Sequence, residues 1–376
     1  MAQTQGSVVS TNTISAQLRK DMDSKIYLLE PNDAPLSLLT SSLNKKSAIQ
    51  PAYNWIEHEL VAETDAINYG AGYDDDDTDL VVDNGVFFAV GDIVLVPSTG
   101  ELMKVGARST NTITFARGIA GSTAAAIADN AVLYIIGNAF AEASDIPLAK
   151  MVAKAEKTGY TQIFKTTVPI ISNTAEASQS LTENEIAYQK ALFGKEHILK
   201  IEKSAFFGRP YVDLTGSTPV RYTGGIIPTI STNVVNAAGT LTEATWDSFV
   251  SKLCNYGSAK KVVFVSPLIA NKIDGFGKGK LSTAVKDDRY GFSVRKYFNS
   301  VGEVSIIVHK KVLTGSYGGY AVGVDLEHFR MRTLRPGKCW PADNGNVDGK
   351  SWYWMSELGF QPMQEKTHAL LYGVTG

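Results

Sequence analysis

Hydrophobic and polar positions follow two periods along this chain, and the period switches several times. In an arm-like stretch, 1–50, Leu18, Met22, Ile26 and Leu29 fall near one helical face. Pro35, a residue favoured in a first helical turn, opens a second short helix with Leu36, Leu38, Leu39 and Leu43. Segment 53–62 then reads as an extended strand. Within 84–137 the pattern breaks into short strands at 86–90, 93–96, 102–106, 112–116 and 132–136. Asn84-Gly85, Gly91-Asp92, Thr99-Gly100 and the glycines near Arg117 separate them, which predicts a small inserted β-barrel or sandwich. Over 160–171 the chain is extended again, with Tyr160, Phe164, Val168 and Ile170 expected on one face.

A long helix is predicted over about 182–207. Thr182 and Glu185 form a capping box, and lysines at 195, 200 and 203 suit the negative end of the helix dipole. Its apolar residues, among them Ile186, Leu192, Leu199 and Phe206, occupy several sides, so it should be covered from more than one direction. A second helix, 243–256, places Trp246, Phe249, Val250 and Leu253 on one face, with Gly257 to end it. Strand 260–265 leads into Ser266 as N-cap and Pro267 in the first turn of a helix ending near Gly275. A polar loop rich in glycine and lysine follows, then strands near 304–309, 319–324 and 329–334. At the C-terminus Trp352, Trp354, Leu358 and Phe360 alternate with Ser351, Tyr353, Met355 and Glu357. The class is α+β without a βαβ repeat.

Charge and cysteine usage narrow the functional field. The 36 basic and 38 acidic residues give a net charge of −2, too little cationic excess for a protein that grips nucleic acid through phosphates. Two distant cysteines, Cys254 and Cys339, exclude a disulfide scaffold or a cysteine-rich zinc module and fit a reducing compartment. Neither a signal peptide nor an apolar run long enough to span a bilayer is expected.

The motifs of catalysis fail one by one. His58-Glu59-Leu60-Val61-Ala62 opens like a zinc-protease helix, but Ala62 stands where the second histidine belongs. Gly349-Lys350-Ser351 has Asn344 where a phosphate loop needs its first glycine, and Gly275, Gly277 and Gly279 do not match the dinucleotide fingerprint. The aspartate run at 74–79 lacks the glycine and closing glutamate of an EF-hand, so a solvated loop is expected. Trp340, Trp352 and Trp354 sit at strand spacing that suits a packed face better than a stacking platform. The histidines at 58, 197, 309, 328 and 368 show no metal spacing. Lys278, Lys280, Lys286, Arg289, Arg295 and Lys296 form a basic stretch interrupted by Asp287 and Asp288, read as a solvated loop or a subunit contact. No catalytic, cofactor-binding or metal-binding residue is assigned, no cofactor is expected, and the chain is not expected to be an enzyme.

The order of elements carries more information than any one site. Gly159-Tyr160-Thr161-Gln162-Ile163-Phe164 precedes the long helix, Lys195-Glu196-His197 lies within it and Phe206-Phe207-Gly208 ends it. Gly224-Gly225-Ile226, Val263-Phe264-Val265-Ser266-Pro267 and Lys366-Thr367-His368-Ala369 follow. In this order the chain resembles a tailed-bacteriophage major capsid protein of the Hong-Kong-97 fold over nearly its whole length. The resemblance implies an N-terminal arm (1–50), an extended loop (51–83 and 138–172) and a small β-barrel inserted in it (84–137). It implies a peripheral domain with the spine helix (173–225 and 326–376) and an axial domain (226–325). The implied function is an icosahedral head built from copies of the chain as hexamers and pentamers, without a membrane. Scaffold, portal and decoration proteins are further implied partners, and packaged DNA is touched only weakly and without sequence preference. Such a protein is made in the host cytoplasm and resides in the virion. No long N-terminal scaffolding segment is expected. The alternative is another phage structural protein, of the tail or the head decoration; its tail form would be mostly β and would lack the long helix.

Overall fold

The computed structural model describes residues 34–144, 150–177, 185–259, 261–276, 281–287, 292–299, 301–343, 345 and 347–375. The predicted helix carrying Leu18, Met22, Ile26 and Leu29 and the Thr182 cap lie outside the described residues. The chain divides into two compact units, residues 55–157 and the remainder. Among the described residues no helix is long and apolar enough to cross a membrane.

The smaller unit is a six-stranded antiparallel sheet. In spatial order its strands are Thr64–Ala66, Val132–Asn138, Asp92–Val96, Glu101–Ser109, Thr112–Ala116 and Asp79–Val81. Its edges meet: the Asp83 amide donates to the Ala66 carbonyl (3.0 Å), Asn68 donates to Val81 (2.9 Å), and Ile67 bridges Val82. The sheet therefore closes into a barrel, which leaves no long unpaired edge. Leu80, Val94, Met103, Ile113, Phe115 and Leu133 fill its interior. Two features correct the expected span of 84–137. Strands Thr64–Ala66 and Asp79–Val81 are needed to close the barrel, so it begins well before Asn84. Residues 86–90 are not a strand: Gly85–Phe87 is a 3-10 turn, and the Arg108 guanidinium binds the Gly85, Val86 and Phe88 carbonyls that a ladder would have used.

In the larger unit, two sheets share a core beneath the long helix Glu185–Phe207. The first sheet places Lys45–Ser47, Phe329–Ala342, Gly349–Pro362 and Gln162–Thr167 side by side. Strand Gln162–Thr167 pairs with Gly349–Pro362 over six residues, so residues 162–167 are part of this sheet, whereas the sequence reading gives 138–172 to an extended loop. Phe164 and Val168 are buried as the strand period predicts, but Ile170 is exposed and Ile171 is buried in its place. The change of parity falls at Pro169, which supplies no ladder donor.

The second sheet has seven strands in the order Val234–Gly239, Ala369–Val374, Ala321–Asp325, Lys261–Val265, Gly302–Val308, Phe292–Asn299 and Leu281–Asp287. Lys261–Val265 is buried at every position, the pattern of a central strand covered on both faces. Helix Glu243–Cys254 covers one side with Trp246, Phe249, Val250 and Leu253; it is shorter than predicted, and Thr242 caps it through the Thr245 amide (3.2 Å). Two corrections follow here. The C-terminal strand Ala369–Val374 pairs with Ala321–Asp325 and Val234–Gly239, so it belongs with 226–325 and not with the sheet of residues 329–362. The region read as a polar loop contains the hairpin Leu281–Asp287 and Phe292–Asn299, which builds that edge of the sheet. Edge strands tolerate lysines, and that polarity hid them from a pattern search.

Candidate functional site

His58 is exposed, and its Nε2 lies 3.1 Å from the Val152 carbonyl. The aspartate run folds as a loop closed by the Asp74 amide on Asp77 (2.9 Å), and the Arg117 guanidinium holds the Asp74 and Asp77 carbonyls. Lys350 of the phosphate-loop lookalike sits in a strand and pairs with Glu176 at 2.8 Å. In the basic stretch, Arg295 is bound to Asp274, and Lys296 meets Glu303 at 2.5 Å, while Lys278, Lys280 and Arg289 lie outside the described residues. Among the described residues no group of three histidine, cysteine or carboxylate side chains is arranged to hold a metal.

The structure instead gathers charge in buried clusters that the sequence did not mark. Glu202 is fully buried on the long helix. Its carboxylate accepts the Leu36 amide at 2.9 Å, the Ser37 amide at 2.7 Å and the Ser37 hydroxyl. It thereby caps the N-terminus of the helix Pro35–Leu43, whose own N-cap residue Ala34 makes no side-chain bond. His309, also fully buried, places Nε2 3.1 Å from the same carboxylate. At the far end of the short helix Asn44 donates to the Leu326, Glu327 and Phe329 carbonyls, and Lys45–Ser47 continues as a parallel strand. The stretch 34–47 is thus fixed at both ends by polar bonds across more than 160 residues of sequence.

Two further clusters lock the sheets. His197 on the long helix bridges Thr166 (3.1 Å) and Ser356 (2.8 Å) and is flanked by the Phe164 and Trp354 rings. Burial, and secondarily Lys200, lower its pKa, so the ring is neutral at physiological pH. Trp354 donates to the Lys190 carbonyl at 2.9 Å, and its ring passes 3.2 Å from where a Cβ on Gly194 would stand, a close approach that explains a glycine mid-helix. In the second cluster Lys261 meets Asp325 at 2.8 Å with both side chains at most 1% exposed. Burial alone would raise the Asp325 carboxyl, but Lys261 and the two Ser258 donors outweigh it and hold it well below the usual range. His368 accepts the Asp325 amide (3.1 Å), and burial pulls its pKa down to about 3.

A different kind of surface lies at the strand pair Ala52–Glu57 and Ala155–Tyr160, a sheet of only two strands. Tyr53 is buried and bonds the Phe360 carbonyl at 2.8 Å. Further on, Ile56 is 68% exposed and Leu60 91%. Ile56 in the pair and Leu60 just beyond it are apolar side chains suited to being covered.

Comparison with known proteins agrees with this geometry. A curated "Major capsid protein" of Pseudomonas phage PaMx41 is 26% identical over 347 residues, covering 85% of this chain and 80% of that one. Among solved structures, one from Mycobacterium phage Bobi superposes with a TM-score of 0.54 at 8% identity, covering 98% of this chain and all of the other. The capsid of an empty GTA particle computed with C5 symmetry gives 0.53 at 8% identity over 99% of this chain and all of the other. These likenesses place the fold among phage capsid proteins of the Hong-Kong-97 type. The family model for the SU10 major capsid protein matches residues 3–375, and the chain belongs to that family.

Proposed function

We propose that this phage major capsid protein builds an icosahedral head as hexamers and pentamers, held together through the two-stranded loop and the part of the N-terminal arm that precedes the capped stretch 34–47. The match of one capsid family to residues 3–375 carries the shell function. The two-stranded pair supports the contact mode, because such a pair is marginal alone in water and here exposes Ile56 and Leu60. A second copy lying against it would supply the missing cover.

In this proposal the loop spans about 51–63 and 139–161, the barrel sits within it, and the sheets of the larger unit form the peripheral and axial domains. The chain acts by packing and not by catalysis. With a net charge of −2 it touches packaged DNA weakly, and scaffold, portal and decoration proteins are its other partners. It is made in the host cytoplasm and ends in the virion. Negative-stain imaging of the concentrated protein tests this directly. Closed shells or five- and six-membered rings are expected, whereas tubes would transfer the protein to the tail.

A further inference from the structure

The formal charge of −2 conceals a division between the two units. Residues 55–157 hold 6 lysines and arginines against 16 aspartates and glutamates, whereas the remainder holds 30 against 22. The smaller unit therefore carries −10 and the larger +8. A separation of this size within one chain points to a polyanion at the positive part and repels it from the negative one. Within the larger unit an open groove of about 520 Å³ lies at the C-terminal end of the long helix. Lys203, Phe207, Arg209, Tyr211 and Tyr222 line it, and among the described residues no aspartate or glutamate does. Lys203 and Arg209 are exposed, and neither makes a hydrogen bond or ion pair among the described residues. Gln162, also on the lining, spends its Oε1 on the Thr223 amide (3.1 Å), which leaves its NH2 group to donate. Tyr211 and Tyr222 pair ring to ring at 6.1 Å across a short hairpin, and both are exposed.

Two uncommitted cations, a side-chain amide and phenol hydroxyls are the donors that hold phosphate oxygens, and the rings beside them can pack on sugars. We propose that this groove is where the protein touches packaged DNA, holding the phosphodiester backbone of the duplex through Lys203, Arg209 and Gln162. The inference rests on the DNA contact proposed above and names its surface. Because these groups reach phosphates and not base edges, the contact is blind to sequence. Two cations neutralise about two phosphates, so one copy binds weakly, and many copies side by side in a shell multiply the effect. The acidic residues of 55–157 cancel this positive charge in the sum over the chain, which is why net charge alone conceals it.

Fluorescence anisotropy of a labelled short duplex, titrated with the full chain between about 50 and 200 mM salt, tests it. The logarithm of affinity should fall against that of salt with a slope of about −2, the value for two neutralised phosphates. Lys203→Ala and Arg209→Ala should each flatten that slope by about 1. Lys203→Glu with Arg209→Glu should weaken binding at least tenfold, with folding checked by circular dichroism and shells or rings still sedimenting at the unmodified yield. Lys45→Glu with Lys46→Glu, two exposed cations of the same unit outside the groove, should weaken binding far less. An equal loss from that control, unchanged slopes in both single variants, or tighter binding to a single strand than to the duplex would overturn the proposal. So would a double groove variant that binds DNA normally but no longer assembles, since the groove would then be a contact between copies. If the double variant does not fold, the two single-variant slopes decide. Shells that form without groove-dependent DNA binding count only against this contact, and groove-dependent binding by a chain that forms no shells counts only against the shell function.

Discussion

Residues 34–47 and 52–60 are near neighbours in sequence and opposites in how their needs are met. The first stretch has its amides capped by a buried carboxylate, its far end held by Asn44, and its apolar Leu36 and Leu39 inside the core. In the second, Tyr53 is buried and bonded to the Phe360 carbonyl, whereas Ile56 and Leu60 are exposed. A segment satisfied within its own chain contributes to folding. In the proposed function, one that leaves apolar surface open contributes after folding, when another copy arrives. Substitutions in the two stretches should therefore separate stability from assembly.

The largest effect on stability is expected at Glu202. Glu202→Ala leaves two buried amides and His309 without their acceptor, and removing one partner of a buried charged cluster costs about 3–5 kcal/mol. Denaturant melts of the subunit measure it, and protease cleavage near residue 34 should quicken in parallel. A loss below about 1 kcal/mol would mean that the cap is not what holds the short helix.

Acid should act next, through His368. Its folded pKa of about 3 lies below the unfolded value of roughly 6.5, so the unfolded chain binds the proton first. That contribution is complete above pH of roughly 6.5 and is lost as pH falls toward about 3. Asp325, also held below its ordinary value, adds loss of the same sign once the pH falls below about 4. Melts from pH 7 downward should show falling stability, and His368→Gln should flatten the upper part of that slope. A wild-type slope that survives the substitution would place the titration elsewhere.

Thr242→Ala should cost about 1 kcal/mol, the size of one lost N-cap. At the small end, Ile56→Ser with Leu60→Ser should change the melt by less than about 0.5 kcal/mol, because neither side chain is covered within the subunit. A larger loss would show that the loop is already packed before assembly and would break the comparison.

Much of the framework was legible from periodicity alone. Pro35, the Trp246–Leu253 face and the Ser266-Pro267 start each carry a local signal, and each helix formed where that signal lay. The barrel strands were visible through their turns, but its closing strands were not. Thr64–Ala66 and Asp79–Val81 have three residues each, too few to show a period, and their role depends on partners far along the chain. The sequence groups the C-terminal strand with 326–362 in one domain, and its pairing with Ala321–Asp325 and Val234–Gly239 is invisible there for the same reason, since those neighbours are chosen by topology. Leu199, one of the apolar residues of the long helix, is only half-buried, while Glu202 three residues on is fully buried. A glutamate on an otherwise mixed helix face gives no warning that it will cap a helix 165 residues away. Exposed apolar residues such as Ile56 read in sequence like any strand position, and only the absence of cover within the described subunit distinguishes them.

The central claim is that the open loop serves assembly while the capped stretch serves folding. Sedimentation velocity of Ile56→Ser with Leu60→Ser beside the unmodified chain, at the same concentration, tests it most directly. The account predicts rapidly sedimenting shells or rings from the unmodified chain and a folded slow species, with an unchanged melt, from the variant. Shells of normal size and yield from that variant would contradict it.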